Sequence, residues 1–244
     1  MTSASRNKTE PPRHAAVVRV THWIATLCFL ALLLTGAEII VSHPRFYWGE
    51  IGNVHTRPIF TIPIPASRST VPTGYGLEMP DQNGWSRYLH FQTAWALVLT
   101  GFVYVIAGVL TGHFRKDLLP ERGNRTWRAY WSRIAQYLHR APPDPAEERS
   151  YNVLQRSAYL AVIFILFPLV IWTGLAMSPG FVSAFPAAVD VLGGRQSART
   201  LHFFVSGALL LFLIVHIVMV ILAGFKTRMR AMISGRLVAP EEHP

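Results

Sequence analysis

Residues 199–224 read RTLHFFVSGALLLFLIVHIVMVILAG, an apolar run into which two histidines, His202 and His216, are set. They lie fourteen residues apart, which on an α-helix is about 21 Å along the axis and roughly 40° short of four whole turns. One helix thus offers two imidazoles on nearly the same face, one close to an end and one well inside. An ionisable side chain within a membrane span is costly and marks a functional site, and imidazole is an axial ligand of haem iron. The spacing predicts a helix that gives one ligand to each of two stacked haems.

The rest of the chain suits such a helix. Half of its 244 residues are hydrophobic and 15% are charged, and the apolar residues come in blocks too long for a soluble helix. A run of about 18 or more apolar residues reads as a membrane span. Four segments qualify, at about 20–41, 88–111, 153–177 and 201–225. The expected fold is an all-α integral membrane protein, a four-helix transmembrane bundle with cofactors in its core. Residues 17–225 form the membrane domain, with a tail at 1–16, an outer loop at 42–87, a second loop at 112–152 and a tail at 226–244. The first apolar run is too long for a signal-peptide core and lacks a small-residue cleavage site.

A formal charge of +10 is compatible with a nucleic-acid partner, but its distribution speaks for topology. Seventeen Lys and Arg fall in the two tails and the middle loop or, as Arg19 and Arg156, at the span ends bordering them, against six in or bordering the other two loops. By the positive-inside rule both termini and the middle loop face the cytoplasm. Within that loop, residues 127–138 alternate aromatic, apolar and Arg residues at helical spacing, as a basic helix on anionic headgroups would. Cys28 is the single cysteine, which excludes an internal disulfide, a four-cysteine cluster and covalent haem attachment.

Depth then pairs the histidines. Spans two and four run in the same direction, so His90 and His202 sit at similar depth near the outer face. His22, at the cytoplasmic end of span one, belongs with His216. Zinc is disfavoured because the pairs lie too far apart to surround one ion. His113 faces about 140° away from His90 and is a poor rival ligand. Gly36, fourteen residues after His22, and Gly101, eleven after His90, could leave room for a flat ring, or could equally serve close helix packing. Arg87 and Arg199 lie near the outer haem edge, where guanidinium groups pair with propionates or simply anchor helix ends. Pro168 should kink span three, which lacks histidine. Its Trp172-Thr173-Gly174 echoes Thr35-Gly36, and Arg87-Tyr-Leu-His-Phe echoes Arg199-Thr-Leu-His-Phe. The halves therefore look like a parallel repeat about an axis along the membrane normal.

At these residues the chain resembles the membrane di-haem cytochrome b superfamily, which includes the formate dehydrogenase-N gamma subunit and the b-type cytochrome of nickel–iron hydrogenases. Arg19-x-Thr-His22-Trp, Leu-His90-Phe and the His202/His216 pair carry the likeness. His43-Pro-Arg-Phe-Tyr-Trp-Gly and Arg87-Tyr-Leu-His-Phe-Gln-Thr-Ala-Trp make it most similar to the thiosulfate-reductase type of cytochrome b. The resemblance implies two haem b groups, on His90 with His202 and on His22 with His216, in a bacterial cytoplasmic (inner) membrane. It also implies a quinone or quinol as diffusible partner and a periplasmic redox protein of the molybdenum-enzyme kind. The expected work is carrying electrons across the bilayer between that partner and the quinone pool. Two alternatives compete: a stand-alone di-haem enzyme such as a superoxide:quinone oxidoreductase, and a non-redox membrane anchor or proton-relay transporter.

Overall fold

The computed structural model describes residues 14–53, 55–63, 82–120, 123, 125–139 and 152–235. Four helical stretches are long and apolar enough to cross a membrane. Helix α1 (Ala16–Ser42) and helix α2 (Gln82–Thr111) form one antiparallel pair. After α3 (Trp127–Leu138), the third span comprises α4 (Val153–Ala161), a π-helical turn (Val162–Leu166) and α5 (Phe167–Leu175). Short helices α6 (Pro179–Ala184) and α7 (Pro186–Asp190) lead into α8 (Arg195–Leu222), which packs against the third span. Large apolar side chains point outward along the bundle, among them Leu27, Leu34, Leu110 and Leu222. A core facing inward and a skin of bare leucine is what lipid solvent requires.

Helix ends differ from the apolar runs for local reasons. Gly224 takes a positive φ of 93°, so α8 stops at Leu222 and α9 (Phe225–Ser234) sets off in a new direction. The run expected to end at 225 is therefore split. Pro168 has no N–H for the carbonyl of Phe164 and crowds it. The irregularity expected there takes the form of the wider π turn immediately before Phe167, and the span runs on. Asn152 closes the start of α4 with a full capping box, its side chain accepting from the Gln155 amide. Helix α3 spans the residues its periodicity indicates, and Tyr130 ties it to Ser157 at 2.7 Å.

Outside the helices, the described residues contain one two-stranded ribbon. Strand β1 (Arg45–Phe46) pairs antiparallel with β2 (Phe60–Thr61), placing Phe46 opposite Phe60 with their rings stacked at 4.6 Å. Phe46 is buried against Phe203 at 4.6 Å, and the Arg199 guanidinium lies over its ring. This ribbon marks one end of the bundle; α9 marks the other, where Arg19 donates to the Ile233 carbonyl and Trp23 to that of Met232. Residues 64–81 of the loop after α1, and 140–151 of the loop before α4, lie outside the described residues.

The ribbon end is bolted to α8. Gly194 begins that helix with no side-chain cap. Its first amides are met from the other half of the chain: Gln196 and Ser197 donate to the Gly49 carbonyl, and Arg195 to the Glu50 carboxylate at 2.8 Å. An anionic group at a helix N-terminus satisfies orphan donors and complements the helix dipole. Ser197 Oγ accepts from the Gly49 amide at 2.7 Å, and Thr200 Oγ1 donates to the Tyr47 carbonyl at 2.7 Å. Thr200 is buried. Thr200→Val should leave that carbonyl unmet and lower stability by about 1–3 kcal/mol. Thr200→Ser should stay near wild type; thermal unfolding in detergent checks both.

Candidate haem site

The four histidines expected to act in pairs are brought together in those pairs. His90 on α2 faces His202 on α8, with ring centroids 6.3 Å apart. His22 on α1 faces His216 on α8, at 6.4 Å. The first pair lies at the ribbon end and the second towards α9, separated along α8 by about 21 Å. A metal–imidazole bond is about 2 Å, and the ring centre lies about 1.1 Å behind the nitrogen. Two imidazoles in line through one metal ion therefore put their centroids about 6.3 Å apart. Both pairs sit at about that separation. Among the described residues no three His, Cys, Asp or Glu side chains converge on one point.

At the ribbon end the ring orientation is over-determined. Thr35 Oγ1 donates to the Ala31 carbonyl at 2.8 Å and lies 2.9 Å from His90 Nδ1. Thr173 Oγ1 donates to the Leu169 carbonyl at 2.8 Å and lies 3.1 Å from His202 Nδ1. With each hydroxyl proton already used, the threonines accept from the ring. His202 Nδ1 also lies 3.1 Å from the Val170 carbonyl, which can only accept. His202 Nδ1 therefore carries the proton, and the back-bonded Thr35 favours the same tautomer at His90, which leaves both Nε2 lone pairs for a metal. This is the outer support that fixes a metal-binding imidazole. A Cβ at Gly36 would come within 3.6 Å of His90 Cε1, and one at Gly174 within 3.3 Å of His202 Cε1.

The second pair is supported differently. His22 Nδ1 is buried with no hydrogen-bond partner among the described residues. The His216 ring stacks on Phe212 at 5.8 Å and meets the edge of Tyr159 at 6.2 Å. Half-buried imidazoles whose centroids lie at about the separation of two ligands on one metal ion are a poor core and a good ligand set.

The remaining candidates fall into place around these pairs. Gly36 lies beside the ribbon-end pair; a Cβ at Gly101 would meet nothing within 4 Å. Arg199 donates through Nη2 to the His43 carbonyl, so its guanidinium serves the ribbon seam. Arg87 is exposed on α2. His113 is held by Asp117 at 2.6 Å, near Tyr104 and away from both pairs. Thr35, Thr173 and Gly174 were not among the expected site residues, although the repeated Thr-Gly dipeptide was visible in the sequence.

Set against known proteins, residues 13–235 match the family described as prokaryotic cytochrome b561. The chain belongs to that family. It is thus a membrane cytochrome of the b type, a class that binds haem b and works in electron transport. Along 214 residues the cytochrome is also 28% identical to a protein of Azospira oryzae provisionally named protein-methionine-sulfoxide reductase subunit YedZ1. The match covers 86% of this cytochrome and 90% of that relative. Family membership sets aside the non-redox anchor or transporter. Two facing imidazoles with free Nε2 atoms, flanked by glycines, fit the haem that the family implies.

Proposed function

We propose that this cytochrome is a di-haem conduit in which His90 and His202 hold one haem and His22 and His216 hold a second. The ring separations of 6.3 and 6.4 Å at two depths carry this assignment. Haem iron bound between imidazoles supplies one-electron chemistry, with a potential tuned by its surroundings. The chain's part is to hold the four rings on rigid helices, to exclude water with apolar walls, and to space the pairs along α8. Gly36 packs against the His90 ring, a Cβ at the exposed Gly101 would meet nothing within 4 Å, and Arg87, exposed three residues before His90 on α2, is the candidate partner for a propionate.

Electrons would pass between a periplasmic oxidoreductase and the quinone pool. The relative's name, which makes it a subunit of a reductase, supports a partner of that class; a molybdenum enzyme is the form the resemblance implies. The excess of basic residues in the tails and middle loop, including Lys226, Arg228 and Arg230 of α9, supports a cytoplasmic location for both termini and for the His22–His216 pair. The ribbon end then faces the periplasm of a bacterial inner membrane.

A pyridine haemochrome assay on purified protein should find two b-type haems per chain. Material without Soret absorbance after expression with ample haem would sink the proposal. Rapid haem reduction by superoxide in partner-free protein would instead move the function to a stand-alone superoxide:quinone oxidoreductase.

A further inference from the structure

We propose that Thr35 and Thr173 are paired positioning residues that hold the ribbon-end haem at a lower potential than its two histidines alone would give. This rests on His90 and His202 ligating one haem. Both threonines are fully buried. Each sits on a helix that lends no ligand to that pair, each is followed by glycine, and each Thr-Gly unit grips one imidazole along its Nδ1–Cε1 edge.

Back-bonding to the preceding turn is ordinary for a helical threonine, and Thr21, Thr26, Thr100 and Thr111 do the same. What sets Thr35 and Thr173 apart is the ring nitrogen on the other side of the oxygen. The back-bond spends the hydroxyl proton, so the oxygen can only accept from Nδ1–H. An acceptor on Nδ1 makes the imidazole a stronger electron donor through Nε2. Greater donation stabilises the oxidised, more positive metal and lowers its potential. His22 Nδ1 has no hydrogen-bond partner among the described residues, and the rings beside that pair are those of Trp23, Phe212 and Tyr159. Among the described residues, a back-bonded threonine meets a ring nitrogen at the ribbon-end pair alone. The sign of this effect favours electrons leaving the ribbon end for the far end.

The test is a spectroelectrochemical titration of the purified full-length protein, comparing wild type with Thr35→Val, Thr173→Val, the double variant and the matching serine variants. Valine keeps the shape and removes the oxygen. Each valine should raise the midpoint of one haem and leave the other in place, by about a tenfold change in its redox equilibrium, roughly 59 mV for one electron. The double variant should move further, serine should restore the wild-type value, and the ferric low-spin electron paramagnetic resonance signal of the same haem should shift with the valines. Two retained haems with unmoved midpoints would overturn the proposal, as would serine failing to restore them. If a valine variant loses one haem outright, its return with serine supports the proposal and its continued absence overturns it. A wild type with fewer than two haems fells the ligand assignment first. A two-haem wild type with flat variants fells the threonines alone.

Discussion

His202→Ala is expected to yield a protein with one b-type haem in place of two, and to stop electron passage across the bilayer of reconstituted vesicles. The His202 ring is held through Nδ1 by Thr173 and the Val170 carbonyl, with its centroid 6.3 Å from that of His90. Without it His90 stands alone, and a single imidazole leaves the metal a vacant face. His22 and His216 lie about 21 Å away along α8 and share no hydrogen-bond partner with His202 among the described residues, so their haem should remain. Sites that far apart behave independently. His216→Ala should give the reciprocal result, removing the other haem and also ending transfer, because a conduit fails at whichever half is missing. Haem per chain by pyridine haemochrome, combined with reduction of an acceptor enclosed in the vesicles, reads both effects. Retention of both haems by either variant would refute the pairing.

Gly194→Ala is expected to cost about 2–6 kcal/mol and to loosen the ribbon end before the rest of the bundle. Two penalties combine. Gly194 has φ 101° and ψ 173°, a region open essentially to glycine, where other residues lose about 1–3 kcal/mol. A Cβ there would also stand 2.8 Å from the Gly49 carbonyl and the Glu50 amide, backbone atoms with little freedom to give way. Overpacking of that kind adds about 1–3 kcal/mol. The groups displaced are the ones that meet the first amides of α8, so the loss spreads to its capping. Limited proteolysis should show the loop at Gly49–Glu50 opening first, and thermal scans should show a lower midpoint. Gly180, where a Cβ would meet nothing within 4 Å, is the matched control and should tolerate alanine. Equal stability of the two alanine variants would count against this account of the seam.

Much of the site was legible because membrane burial leaves a one-dimensional record. Long apolar runs gave the four spans, alternating direction gave depth, and depth paired His90 with His202 and His22 with His216. The neighbours of those rings were harder. Thr35-Gly36 and Thr173-Gly174 stood out as a repeat, but their role depends on which helix lies beside them, and a periodicity carries no information about neighbours. Gly101 shows the converse: it shares a face with His90 by helical arithmetic, yet nothing packs on it. The cap of α8 was invisible for the same reason. Gly49 and Ser197 meet across 148 positions of sequence, and no local signal joins them. The break at Gly224 could have been read from its glycine, but the apolar run through Phe225 hid it.

Thr200 is fastened to the ribbon two residues before His202 on the same helix. A load applied to the ribbon from outside the bundle therefore arrives, within one turn, at an imidazole. Under the proposed ligand assignment, whatever grips that surface also holds a ligand of the ribbon-end haem, so mechanical purchase and electronic coupling would share a single lever.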